Sequence, residues 1–173
     1  MKTELLAPAG GMEALEAALY FGADAVYLAG EKYGLRAGAQ NFAGDALQQA
    51  AAKIKKERKK LYVAVNALVP EGDFKGVARF LREIQAAGAD AVIVSDPGVF
   101  MAVRETLPAM PVHVSTQLCT LNARAARFWH EAGATRVILA RECTLDDIRR
   151  IRENVPDTLE LEAFVHGAMC MAY

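Results

Sequence analysis

A parallel α/β fold, curled toward a (β/α)8 barrel and left incomplete at about seven units, is predicted by three features of this 173-residue sequence. Short β-branched or aliphatic runs alternate with stretches of helical periodicity. The runs are apolar at nearly every position, which in a sheet means that both faces are covered. A weak repeat, "FGADAVYLA" (21–29), "AGADAVIVS" (87–95) and "AGATRVILA" (132–140), each time sets a glycine between a helix end and a buried strand.

Strands are expected at 4–7, 25–29, 61–66, 91–95, 112–115, 136–140 and 161–165. Between them, the apolar spacing of Phe74, Val77, Leu81 and Ile84 predicts a helix over 73–86, with Asp73 as its N-cap. Leu145, Ile148 and Ile151 predict another over 144–153, where Thr144 and Asp147 resemble a capping box. No GxGxxG follows the first strand, which argues against a dinucleotide-binding sheet. The even spacing of units favours a TIM-barrel-like fold. Seven strands leave such a barrel short of at least one unit, so the chain is expected to be truncated and the barrel unclosed. No Pro/Gly/Ser-rich linker interrupts residues 1–173, which read as one domain.

Composition narrows little. A net charge of -1, with 53% apolar and 24% charged residues, gives no global pull toward nucleic acid or membrane. There is no apolar run of ~18 residues, and "MKTELLAPAGG" lacks the apolar core of a secretory signal. A cytoplasmic protein without a membrane partner is expected. Cys119, Cys143 and Cys170 are too few and too scattered for a disulfide framework or a CxxC zinc site. Cys119 and Cys143 fall at helix starts and read as structural filler.

In a barrel, chemistry gathers at the carboxyl ends of the strands. Those ends carry Pro8, Ala9 and Gly10, a long loop with Arg36, Gln40 and Asn41, then Asn66, Asp96-Pro97, Ser115-Thr116-Gln117, Arg141-Glu142 and His166-Gly167. Arg141 and Glu142 suit either a salt bridge or a substrate clamp. Asn66 ends an apolar strand, where its amide must find partners or meet a ligand. Gln117 could read a planar polar group or stabilise a turn. His113, inside a strand, reads as a satisfied structural histidine. His166 and Cys170, four apart, could be a nucleophile and its base or two metal ligands, and a buried inert thiol is the alternative. The basic run "KIKKERKK" (53–60) ends a helix and precedes a strand, which places it opposite the expected mouth, where cations suit the helix terminus.

"ELLAPAG", "GADAVYLAG" with "LRAGAQNF", "SDPG", "STQ", "RVILAREC" and "ELEAFVHGAMC" occur in this order. Together, over residues 4–173, they resemble the N-terminal catalytic portion of peptidase family U32, the collagenase-like proteases. The most specific match is the family signature, met here by Glu162, Phe164, Gly167, Ala168, Met169 and Cys170. The family pattern continues through Gly and a second Cys, whereas this chain ends at Tyr173.

Several members of that family are RNA or quinone hydroxylation proteins carrying a 4Fe–4S cluster on four cysteines, and the "FVHGAMCMAY" ending looks most like the branch that makes 5-hydroxyuridine at the tRNA wobble position with prephenate. The resemblance implies that Cys170 is the first cluster ligand and that the others lie beyond this chain, so the chain itself is expected to hold no cluster and to be inactive. It further implies tRNA and an acidic small molecule such as prephenate as partners. Arg141, Glu142 and His166 are the catalytic candidates, and Arg36, Asn41, Asn66 and Gln117 the substrate-binding ones. Alternatives are hydroxylation of ribosomal RNA or of a ubiquinone precursor, and a peptidase of unknown catalytic type, for which the rim offers Ser115, His113, His166 and Cys170 but neither GxSxG nor HExxH. An unclosed barrel also exposes strand edges through which two copies could associate.

Overall fold

The computed structural model describes residues 3–35, 41–42 and 44–167. Seven strands, β1 (Leu6–Pro8), β2 (Ala25–Ala29), β3 (Lys60–Val65), β4 (Ala91–Val94), β5 (Val112–Val114), β6 (Arg136–Ile138) and β7 (Glu160–Glu162), form one sheet in sequence order. Every pairing is parallel. Helices α1 (Met12–Tyr20), α2 (Asp45–Lys56), α3 (Val77–Ala87), α4 (Pro97–Thr106), α5 (Ala123–Glu131) and α6 (Leu145–Glu153) make the crossovers. The sheet curls as a barrel does, and among the described residues β1 and β7 do not pair, so the barrel is not closed. None of the described helices is long and apolar enough to cross a membrane.

Alternation along the strands sorts side chains into two shells. Val26, Leu28, Val63, Val92, Val94, Val114 and Val137 join the helices in the main core, while Ala25, Tyr62, Ala91, Ile93 and Ile138 form a second cluster on the inner face. At about 25 cal/mol per Å² of apolar surface, the outer shell is the larger source of stability.

The sequence repeat has a structural counterpart. Gly22, Gly88 and Gly133 have φ of 87°, 86° and 107°, the left-handed region that favours glycine, and they turn each chain segment from helix to strand. Two residues on, the chain is fastened to the start of the preceding strand. The Asp24 carboxylate accepts from Leu5 N–H at 3.1 Å, and Asp90 accepts from Leu61 N–H at 2.8 Å. Thr135 donates its hydroxyl to Val112 O at 3.2 Å. Each of the three also donates its own N–H to the same residue's carbonyl, at 2.8, 2.8 and 2.9 Å.

Asp73 is not the N-cap expected of it. Residues 71–76 wind as a 3-10 turn, with Asp73 N–H bonded to Pro70 O, and α3 starts only at Val77, behind Gly76. Tight i to i+3 winding satisfies these first amides without a side-chain cap. At α6 the capping box is present: Asp147 N–H donates to Thr144 Oγ1, and Thr144 N–H donates to Asp147 Oδ2 at 3.0 Å. The basic run lies at the end of α2 and the foot of β3. There Lys53 pairs with Glu16, and Lys60 with Glu4 at 2.7 Å, so much of its charge is answered locally.

Candidate functional site

The strand carboxyl ends form a rim whose loops are fastened to one another. The loop after β2 is joined to the loop after β3 twice: Ala67 donates to Tyr33 O at 2.9 Å, and Leu35 N–H donates to Asn66 Oδ1 at 3.2 Å. Asn41, with a left-handed φ of 25°, leads into buried Phe42, which bridges to Gly30 at the end of β2. Asp96 caps α4 by accepting from Gly98 and Val99 N–H, and its other oxygen accepts from Val69 N–H at 3.1 Å. Ser115 accepts from the backbone N–H of Gln117, while Thr116 donates its hydroxyl to Leu139 O at 3.0 Å.

At the ends of β6 and β7, the Arg141 guanidinium lies over the Phe164 ring, 3.9 Å from its centroid, and beside Gly167. Glu142 and His166, close in sequence to this stack, are both exposed. Arg141 and His166 are therefore brought to one stretch of rim. Asn66 and Gln117 belong to the neighbouring stretch at the ends of β3 and β5, and Asn41 to the loop after β2. Arg36 and Cys170 lie outside the described residues, as does Gln40.

His113 departs from the reading as a satisfied histidine. It is buried on the inner face with its ring edge-on to Tyr62 at 4.7 Å between centroids, and its Nδ1 has no hydrogen-bond partner. Burial, reinforced by the positive charge of Arg136, brings its pKa down to about 3, so the ring is neutral. Cys143 lies just before the N-cap of α6, and burial raises its thiol pKa, which suits an inert side chain; Cys119 is exposed in a left-handed turn after residues 116–118.

Beneath the rim the structure holds a cluster that the sequence reading missed. Arg136, inward-facing at the foot of β6, bonds Glu160 at 2.6 Å and Glu162 at 3.0 Å on β7, and Glu4 at 2.9 Å just ahead of β1. Glu4 also accepts from Tyr62 Oη at 2.7 Å. One cation thus ties together the two edge strands of the unclosed sheet. Burial acts first on both sides: it disfavours charge on Arg136, but the Glu160 hydrogen bonds and the other carboxylates outweigh it and raise the pKa. Glu162 is raised as well, because one guanidinium shared among three carboxylates does not offset its burial. For Glu4, burial is outweighed by Lys60, Tyr62 and Arg136, and its pKa is lowered. The signal available in the sequence was Glu160 and Glu162, two apart and so on one face of a strand.

Among the described residues there is no group of three or more His, Cys, Asp or Glu placed to hold a metal ion. The expected cluster ligand, Cys170, is not among them.

Fold and rim define a parallel α/β barrel protein with its polar groups at the strand carboxyl ends. A family model described as peptidase family U32 matches residues 10–173, and the chain belongs to that family. It is 44% identical over 172 residues to tRNA hydroxylation protein P of Escherichia coli (strain K12), covering 99% of this chain and 38% of that protein. It is 41% identical to tRNA hydroxylation protein P1 of Bacillus subtilis (strain 168), covering 99% and 40%. The chain therefore spans about two fifths of the length of these relatives. Among solved structures, the U32 peptidase Mk0906 is similar with a TM-score of 0.77 at 14% identity, covering 94% of this chain and 68% of that one, a likeness of fold.

Proposed function

We propose that this chain is the substrate-binding barrel of an RNA hydroxylation protein that acts on uridine in tRNA. The observation that carries the reading is the 44% identity, across 99% of the chain, to a protein named for tRNA hydroxylation. The rim is consistent with it. An arginine held over an aromatic ring, at the open end of a barrel, offers a surface on which a base can stack and a charge that attracts phosphate. An acidic small molecule such as prephenate would find its cation in Arg141, above a bore whose floor carries Glu4, Glu160 and Glu162.

The peptidase reading has less support from geometry. Ser115 Oγ caps a turn, and His113 packs on Tyr62 with an unpartnered Nδ1 in place of a serine or cysteine. A 4Fe–4S cluster belongs to this proposal through Cys170; when bound it would supply redox chemistry, and no role of the residues above depends on it.

The test is mass spectrometry of nucleosides from tRNA and ribosomal RNA of cells with and without the gene. Loss of 5-hydroxyuridine and its derivatives from tRNA is expected on deletion. Unchanged nucleosides in both pools would overturn the reading, and a loss confined to ribosomal RNA would move the substrate there.

A further inference from the structure

Three neighbouring strands end in small polar residues that share one level of the bore. Ala64 pairs with Ile93 and Ile93 with His113, so two residues further on Asn66, Ser95 and Ser115 stand side by side. Tyr62 and Ile93 face inward, and the alternate residues Val63, Val94 and Val114 face the helices, which puts 66, 95 and 115 on the inward set.

Ser95 is 3% exposed, and its Oγ has no hydrogen-bond partner. One step below on the next strand, the buried His113 Nδ1 is also unpartnered. Two orphaned polar atoms on adjacent inward positions are unusual in a packed interior, where such groups are nearly always paired. The flanking residues have capacity left. Asn66 uses its Oδ1 on Leu35 N–H, which leaves its amide hydrogens to donate. Ser115 uses a lone pair on Gln117 N–H, which leaves its hydroxyl hydrogen to donate.

Asn66 and Ser115 thus have donors left over, the buried Ser95 hydroxyl between them is unpartnered, and none of the three is a cation. Carbonyl oxygens on an uncharged ring match such donors and need no cation. We propose that Asn66, Ser95 and Ser115 form the subsite that holds the carbonyl edge of a neutral pyrimidine base. The assignment rests on the RNA hydroxylation reading and adds to it where the base sits.

The test uses the full chain and uridine as the probe, with binding followed by ligand-observed NMR. Ser95→Ala and Asn66→Asp are compared with the wild type. The aspartate still accepts from Leu35 N–H, but it replaces the amide donor with a charged acceptor that opposes a base carbonyl. Ser95→Ala should weaken uridine binding about three- to tenfold, the effect of one lost hydrogen bond, and Asn66→Asp by at least as much. Ser95→Ala should leave the melting temperature unchanged or raise it, because it removes an unsatisfied buried hydroxyl. Undiminished uridine binding by both variants, or no uridine binding by the wild type, would overturn the assignment. Re-expression in the deletion strain separates the two claims. If deletion removes hydroxylated uridine from tRNA and both variants restore it fully, the subsite fails while the RNA hydroxylation reading stands.

Discussion

The guanidinium of Arg141 lies over the Phe164 ring, 3.9 Å from its centroid, joining the carboxyl ends of β6 and β7 at the mouth of the barrel. A stack of this kind contributes about 0.5–1 kcal/mol when exposed, too little to matter much for folding. Its consequence is positional: the planar cation is held against the rim instead of moving freely in solvent. Phe164→Leu keeps apolar bulk and loses the aromatic face. The expected result is a change in unfolding free energy below about 1 kcal/mol by urea titration, together with a measurable fall in tRNA hydroxylation when the variant replaces the wild type in cells.

Arg136 has the opposite balance. Its side chain is 8% exposed and bonds three carboxylates drawn from β7 and from the approach to β1. Arg136→Met leaves those carboxylates without their shared cation. The expected loss is about 3 kcal/mol by urea titration at neutral pH, toward the low end for a broken buried pair because the half-exposed Glu160 can regain water.

His113 makes stability depend on pH. Its folded pKa of about 3 lies below the 6.5 of an unperturbed imidazole, chiefly through burial, with Arg136 and Lys60 adding to the effect and Glu4 opposing it. The unfolded chain therefore binds a proton that the folded chain refuses. This contribution to stability is full above about pH 6.5 and is lost as pH falls toward 3, with a slope approaching ~1.4 kcal/mol per pH unit. Between pH 6.5 and 5, His113→Phe should flatten the slope seen for the wild type in pH-dependent urea unfolding.

The strand fasteners are open to a direct test at Asp90, whose carboxylate accepts from Leu61 N–H at 2.8 Å. Asp90→Ala is expected to cost about 1–2 kcal/mol, and Asp90→Asn, which keeps an acceptor, to retain most of that stability. Thermal unfolding of the two variants side by side measures the difference.

These fasteners also show what could be read in advance. The repeat at Gly22, Gly88 and Gly133 was visible because helix, turn and strand signals are local, and the same locality revealed seven strands in order, the helix over 144–153 and the capping box of Thr144 and Asp147. Rim residues such as Asn66, Gln117 and Arg141 followed from strand order alone, since a parallel barrel puts every strand's carboxyl end on one side. The Arg136 cluster did not follow. Glu4 lies at the opposite end of the chain from Arg136 and Glu160, and only the curl of the sheet brings it to them. Ser95 was hidden beside Asp96, whose capping role accounts for the turn, and the missing partner of its hydroxyl is a property of the packed bore.

The most direct measurement is the ratio of 5-hydroxyuridine derivatives to uridine in tRNA from a deletion strain re-expressing either the wild type or Arg141→Ala at equal protein level. Restoration by the wild type, with at least about a tenfold lower ratio for Arg141→Ala, is the predicted result, since the variant removes both the charge and the stacked plane from the mouth. Full restoration by Arg141→Ala would contradict the placement of the reaction at this rim.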